Sequence, residues 1–325
     1  MEAPIVMTTK NFVYKTVEGL DVAATVYWPQ TALGNTDTKL PIGGFTIGSR
    51  FLFNPEEIKV LLDLGFVVVL ADHRLCPHVS VYEGPIQDAR DAFRWAKTTL
   101  PDLTHKEVGI TLDPSRVVVF VPPLQATHVH KEIAYALASF SQGSLPEPPK
   151  AIAAFYAAAY FSDDTWSQPM LGSEMMPPID QSFAQRVLSE PPRSMAVVAR
   201  EQFIAPGTMP MPDLSKPRDA WMALAFKEGK HLERCVQDGG FARVDPATSF
   251  SSAFPPTIFL TGTEDTFIDP RFSRRAHEHL EGLGVETQLI LAEGGQHGFN
   301  FGLGRDEAQF KESVLPGYEF LAKHV

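Results

Sequence analysis

A chain of 325 residues that is 44% hydrophobic buries a large core, either as one α/β domain or as a core with an inserted subdomain. A net charge of −11 offers no basic stripe for phosphates, which excludes nucleic acid as a partner. Only two cysteines occur, Cys76 and Cys235, too few for a disulfide framework or a cysteine-based metal site, so both are expected to be plain thiols in a reducing compartment. The start, Met-Glu-Ala-Pro-Ile-Val-Met, has no basic segment ahead of an apolar stretch, and no apolar run reaches the length of a membrane span. The expected location is cytoplasmic, with no membrane span.

Residues 11–28 predict a β-hairpin, with Phe12, Tyr14, Val22, Ala24 and Val26 alternating about a turn at Glu18-Gly19. After a polar loop at 31–39, Asn54-Pro55-Glu56-Glu57 supplies an N-cap, a proline at the first helical position and two first-turn acids for a helix that stops at Gly65. Strand 66–70 follows at once, apolar throughout as buried parallel strands are. Helix 84–98, strand 116–121, helix 124–140 and strand 151–160 continue the alternation, which predicts a parallel sheet with right-handed crossovers.

The pattern breaks at 161–248, where seven of the nine methionines fall among prolines: Met170, Met175, Met176, Met195, Met209, Met211 and Met222. Methionine suits an adaptable apolar surface, so this stretch reads as a helical cap over the carboxyl ends of the strands, or as an insertion whose methionines fill its own core. The expected division is a core of 1–160 and 249–325 with a cap/lid insertion at 161–248. Beyond it come strand 256–262, a helix capped by Asp269-Pro270 and ending near Gly284, strand 287–292 and a closing helix at 306–323.

Asp265 follows one of these last strands in Gly-Thr-Glu-Asp, and His297 follows the other in Gly-Gly-Gln-His-Gly-Phe299. Both are placed at carboxyl ends of adjacent strands, where open α/β sheets put ligands, in the order acid then histidine. The plain alternative is two loop residues held by backbone contacts. Asp269 is better used as a helix cap, which leaves Asp265 to orient His297. Upstream, the strand ending at Val121 runs into Pro122-Pro123-Leu124-Gln125, the frame of a nucleophile elbow with prolines where a serine and its predecessor stand. Proline has no hydroxyl or thiol, so no acyl-enzyme forms at Pro123. His128 and His130, like His277 and His279, lie two apart on a helix and point in different directions, which spoils a metal pair. Cys76 reads as a small buried thiol. Tyr156, Tyr160 and Trp166 end a strand and enter the cap, so with Met170 and Phe299 they are candidates for a pocket lining, with core packing as the alternative.

Leu70-Ala-Asp-His-Arg-Leu-Cys-Pro77 and the helix after Glu83-Gly-Pro85 resemble the Asp-Tyr-Arg-Leu-x-Pro segment and following helix of hormone-sensitive-lipase-like and carboxylesterase-like α/β hydrolases. Asp113-Pro-Ser-Arg116, Gly262-Thr-Glu-Asp265 and Gly295-Gln-His-Gly-Phe299 match at the right intervals, and the likeness spans nearly the whole chain. It is nearest to hydrolase-like proteins of fungal biosynthetic clusters. The resemblance implies an α/β-hydrolase fold with Asp265 as the acid, His297 as the base and Pro123 at a degenerate nucleophile position. It implies that Asp72 and Arg74 hold loops together. It also puts the oxyanion loop either at Pro41-Ile-Gly43-Gly44 or at Ile47-Gly-Ser-Arg50, neither with the family's histidine and three glycines. The amide of Leu124 is the one donor expected to survive, so any oxyanion hole is partial.

Three functions stay open on the sequence. The first is a non-hydrolytic enzyme, an isomerase, cyclase or eliminating lyase, that acts on a small hydrophobic natural-product intermediate through the His297–Asp265 pair. The second is an inactive pseudo-hydrolase that binds an apolar ligand or a partner enzyme; the third is a slow esterase that activates water through His297. No Gly-x-Gly-x-x-Gly, phosphate loop or metal-spaced cluster occurs, so no cofactor and no metal are expected. A homodimer is left open.

Overall fold

The computed structural model describes residues 7–29, 38–43, 50, 53–121, 147–171, 173, 176–194 and 213–325. They form an eight-stranded sheet: β1 (Met7–Val17), β2 (Leu20–Pro29), β3 (Thr38–Gly43), β4 (Val68–Ala71), β5 (Leu112–Val121), β6 (Ile152–Phe155), β7 (Thr257–Gly262) and β8 (Thr287–Ala292). The spatial order is β1-β2-β4-β3-β5-β6-β7-β8. The hairpin and the β2–β4 pair are antiparallel, and every later pair is parallel. The expected mostly parallel sheet flanked by helices is therefore observed.

The hairpin forms where alternation predicts it. Glu18 and Gly19 both take positive φ, the turn geometry that matches strand twist. Phe12, Tyr14, Val22, Ala24 and Val26 face the core, and the register shifts between Val13 and Lys15. The helices are α1 (Pro55–Asp63), α2 (Gln87–Thr98), α3 (Leu100–Val108), α4 (Gln181–Gln185), α5 (Pro217–Lys227), α6 (His231–Cys235), α7 (Phe241–Val244), α8 (Arg271–Gly282), α9 (Ala308–Ser313) and α10 (Leu315–Lys323). Asn54 caps α1 by accepting from the Glu56 amide, and the carboxylate of Asp269 accepts from the Arg271 amide at the start of α8, as the sequence predicts. Strands β4, β6 and β7 are buried along their whole length, as strands covered on both faces are.

Four expectations need correction. The helix read from 84 is regular only from Gln87, because Pro85 sits in a wider turn at Tyr82–Ile86. The strand read through 160 ends at Phe155, since Tyr156 and Tyr160 both have positive φ and cannot continue a pleat. The single closing helix is two, broken at Val314 because Pro316 starts a new first turn. The strand read from 66 pairs regularly only from Val68. The helix expected at 124–140 lies outside the described residues.

Short helices and single turns make up the described parts of 161–248. Backbone bonds tie this segment to loops that leave the carboxyl ends of β4 and β6. The Val81 amide donates to the Cys235 carbonyl at 3.0 Å, and the Leu75 amide to the Arg193 carbonyl at 3.0 Å. The Asp245 carboxylate accepts from the Tyr160 and Phe161 amides at 2.9 and 2.8 Å. Met222 is buried and Met170 half-buried, while Met175, Met195, Met209 and Met211 lie outside the described residues.

Candidate active site

Strands β7 and β8 run parallel in register to their last residues, Gly262 opposite Ala292, so their exit loops start side by side. A Cβ on Gly262 would lie 2.1 Å from the Gly295 carbonyl oxygen, which restricts this position to glycine. That closeness zips the loops together: the Thr263 amide donates to the Ala292 carbonyl and the Glu264 amide to the Gly295 carbonyl, each at 3.0 Å. The Gly294 amide donates to Thr263 Oγ1 at 2.8 Å. Asp265 and His297 come out of this joint facing each other.

His297 Nδ1 lies 2.8 Å from Asp265 Oδ2, and both side chains are buried. The other carboxylate oxygen accepts from the Phe267 and Ile268 amides at 2.8 and 2.9 Å, so the acid cannot swing away. An ionised carboxylate only accepts, which puts the imidazole proton on Nδ1 and makes Nε2 the basic nitrogen. An oriented imidazole of this kind can take a proton from one atom and return it to another.

The other predicted residues divide. Tyr156 is buried with its ring centroid 4.3 Å from that of His297, and Phe299 meets Tyr156 edge-on at 5.5 Å. Trp166 and Met170 line a cleft of about 440 Å³ together with Asp265, Phe267, Phe272 and His231. Trp166 stacks on Phe272 at 4.8 Å and donates its indole N–H to the Ala159 carbonyl, which fixes that wall. Tyr160 packs elsewhere: its hydroxyl lies 3.1 Å from the Arg275 carbonyl and 3.2 Å from His279 Nδ1, with the Arg275 guanidinium over its ring. Burial pushes its phenol up to about 12, so it stays neutral. Gly43 ends β3, paired with Leu70 on one side and Phe120 on the other, at the same end of the sheet as Val121. Gly44, Pro123, Leu124, His128 and His130 lie outside the described residues.

The Asp72-His-Arg74 segment is a clamp. The Arg50 amide donates to Asp72 Oδ1 at 2.9 Å and its guanidinium pairs with Oδ2. Arg74 Nη2 meets Asp88 at 2.8 Å, and Lys15 bonds both Asp88 and Asp91. Cys76 Sγ lies 4.0 Å from the Cys235 carbonyl, so the two cysteines meet in space despite their distance in sequence. His277 and His279 turn to different neighbours, Thr287 and Tyr160. Among the described residues no cluster of His, Cys, Asp or Glu has metal-ligand geometry, and no helix is long and apolar enough to cross a membrane.

Sequence reasoning missed Glu57, Asn300 and Tyr318, a buried polar set beside Tyr156. Glu57 reads as a first-turn acid suited to the helix dipole. A signal was present in its spacing, because Val60 and Leu61 three and four residues on put it on the apolar face of α1.

No protein-family model matches this chain. It is 28% identical to the non-reducing polyketide synthase ausA of Emericella nidulans over 97% of its own length and 14% of that protein. It is 29% identical to the non-reducing polyketide synthase adrD of Penicillium roqueforti over 98% of its length and 14% of that protein. The chain thus spans about one seventh of the length of these relatives. Among solved structures, the native thermophilic esterase Est2 of Thermogutta terrifontis superposes with a TM-score of 0.57 at 20% identity, over 97% of this chain and 92% of that one. The same esterase phosphonylated by sarin gives 0.59 at 18% identity, over 97% and 94%. With this likeness and its strand order, the chain has the α/β-hydrolase fold.

Proposed function

We propose that this chain is a non-hydrolytic enzyme on an α/β-hydrolase scaffold, acting on a hydrophobic natural-product intermediate as an isomerase, cyclase or eliminating lyase. The observation that carries the reading is the intact, buried 2.8 Å His297–Asp265 pair in a chain that reads Pro122-Pro123 at the elbow. Acid–base machinery is kept where the nucleophile is not. Likeness to non-reducing polyketide synthases supports an aromatic or polyketide-like substrate class. The cleft beside Asp265, walled by Trp166, Met170, Phe267 and Phe272, suits an apolar ring system. Segment 161–248 is then the cap that closes over it.

In this mechanism the cleft holds the substrate so that an acidic C–H or O–H meets Nε2 of His297. Nε2 removes the proton, and the carboxylate of Asp265 stabilises the imidazolium through Nδ1. The same imidazolium returns the proton at a second carbon for isomerisation, or to a leaving hydroxyl for elimination of water. General acid–base catalysis of this kind contributes about two to four orders of magnitude.

The test pairs wild type with His297→Ala. Fluorophosphonate labelling and p-nitrophenyl butyrate hydrolysis are expected to be at background in both proteins. Apolar polyketide intermediates are expected to give His297-dependent products of unchanged mass or of mass reduced by water. A fluorophosphonate adduct, or ester turnover lost in His297→Ala, would establish a hydrolase instead. Equal ligand binding by both proteins with no product would establish the pseudo-hydrolase reading.

A further inference from the structure

Behind His297 runs a buried polar chain that the acid–base mechanism does not use. Tyr156, whose ring lies on the imidazole, donates its hydroxyl to Asn300 Oδ1 at 3.0 Å. Asn300 Nδ2 donates to one oxygen of the Glu57 carboxyl, and the Tyr318 hydroxyl donates to the other at 2.8 Å. Asn54 Nδ2 pins the backbone of the same loop by donating to the Asn300 and Leu303 carbonyls at 2.9 and 3.0 Å. Four distant segments, α1, the end of β6, the His297 loop and α10, meet in one network.

Each bond dictates the next. A donating Tyr156 hydroxyl requires the amide oxygen of Asn300 to face it, so the amide nitrogen must face Glu57. Glu57 therefore receives two donors, which matches a carboxylate and not a carboxylic acid. A proton on Glu57 obliges either Tyr318 to reverse or the Asn300 amide to turn, and a turned amide presents N–H to Tyr156. The groups that face Glu57 are neutral, Asn300 and Tyr318, with Tyr156 beyond them, where the charge of Asp265 is also felt. On α1 itself, Glu56 and Lys59 pair with each other at 2.5 Å.

We propose that Glu57, acting through Asn300 and Tyr156, is a positioning residue that sets how His297 sits against Asp265, and that its protonation changes that setting. The proposal rests on the reading of His297 and Asp265 as the reactive pair. Burial, partly opposed by the bonds from Asn300 and Tyr318, raises Glu57 to about 7, so the change falls at neutral pH. Burial first, then the charge of Asp265, pushes the Tyr156 phenol well above its ordinary value, which keeps it a donor throughout.

The experiment is a pH titration, from about 5.5 to 8.5, of the histidine ring signals of the full chain by NMR. The His297 signal is assigned by its loss in His297→Ala. In wild type the His297 ring signal is expected to follow Glu57 with an inflection near pH 7. Glu57→Gln is expected to abolish that inflection, and Tyr156→Phe, which keeps the ring and removes only the hydroxyl, to reduce it by half or more. An unchanged inflection in either variant overturns the proposal. Tyr156→Phe decides alone if Glu57→Gln does not fold. The readout needs no turnover, so a failure here is distinct from a failure of the proposed function.

Discussion

Asp88 and Glu57 are both carboxyl groups with almost no exposure, one on α2 and one on α1, yet they are pushed in opposite directions. Burial opposes ionisation of both. At Asp88 the bonds from Arg74 and Lys15 win and hold the carboxyl below its usual range. At Glu57 the partners are neutral donors, and burial raises the group to about 7. Equal burial with different partners makes a permanent clamp in one place and a titrating group in the other. The titrating one is the one whose bonds lead through Asn300 to Tyr156, the ring that lies on His297.

The clamp gives the largest expected effect. Asp88→Asn leaves the largely buried Arg74 without its counter-charge and Lys15 with Asp91 alone, and is expected to cost about 4 kcal/mol in urea unfolding at pH 7. Because the folded value of Asp88 is depressed, its contribution is present above the unfolded value and is lost as pH falls through the folded one. The difference between wild type and variant should therefore shrink as pH falls below the ordinary aspartate value of 3.8. A constant difference across that range would show that Asp88 acts by packing and not by charge.

Next comes the joint that presents the dyad, which depends on close backbones and not on charge. Gly262→Ala puts a methyl group into the Gly295 carbonyl, and the obstacle is main chain that no side-chain rotation relieves. About 3 kcal/mol of destabilisation is expected. The downfield Nδ1 proton signal of His297 should disappear as the loops part. A variant that keeps this signal at wild-type stability would mean that the zipper between the loops does not hold the pair.

Glu57→Gln should act with the opposite sign. Glu57 has a raised folded value, so its stabilising contribution is complete below the ordinary value of 4.5 and is lost as pH rises to about 7. Above pH 7 wild type carries a buried charge that the glutamine does not, and the variant is expected to be more stable by roughly 3 kcal/mol. At pH 5 the two should unfold at nearly equal urea concentrations. If the variant were less stable at pH 8, ionised Glu57 would be as well paired as Asp88, and the contrast between the two would collapse.

These regions were not equally legible in the sequence. The hairpin showed in its alternation, α1 in Asn54-Pro55, and the Asp265–His297 pair in the order and spacing of two strand exits. All of these depend on local chemistry or on strand succession. The end of β6 was hidden because Tyr156 and Tyr160 take positive φ without the glycine that usually marks such a turn. The break at Val314 was signalled by Pro316 but masked by the amphipathic pattern on both sides. Glu57 was hidden by ambiguity: an acid in a first turn already has a reason to be there, and only the fold supplies Asn300 and Tyr318.

The smallest expected effect is at Pro123, two residues beyond the last described residue of β5, Val121. Pro123→Ser restores a hydroxyl two residues beyond β5, yet Pro122 still fixes φ and withholds an amide just before it. Gln125 stands where a Gly-x-Ser-x-Gly frame has glycine, and neither Pro41-Ile-Gly-Gly44 nor Ile47-Gly-Ser-Arg50 holds a histidine and three glycines. Each missing oxyanion donor is worth about two to three orders of magnitude. Turnover of p-nitrophenyl butyrate by the variant is therefore expected to match wild type, with no fluorophosphonate label. Turnover well above wild type would mean that the reactive geometry survived and the hydroxyl alone had been lost. The intact His297–Asp265 pair would then be the remainder of a hydrolase, and the acid–base reading of this chain would fail with it.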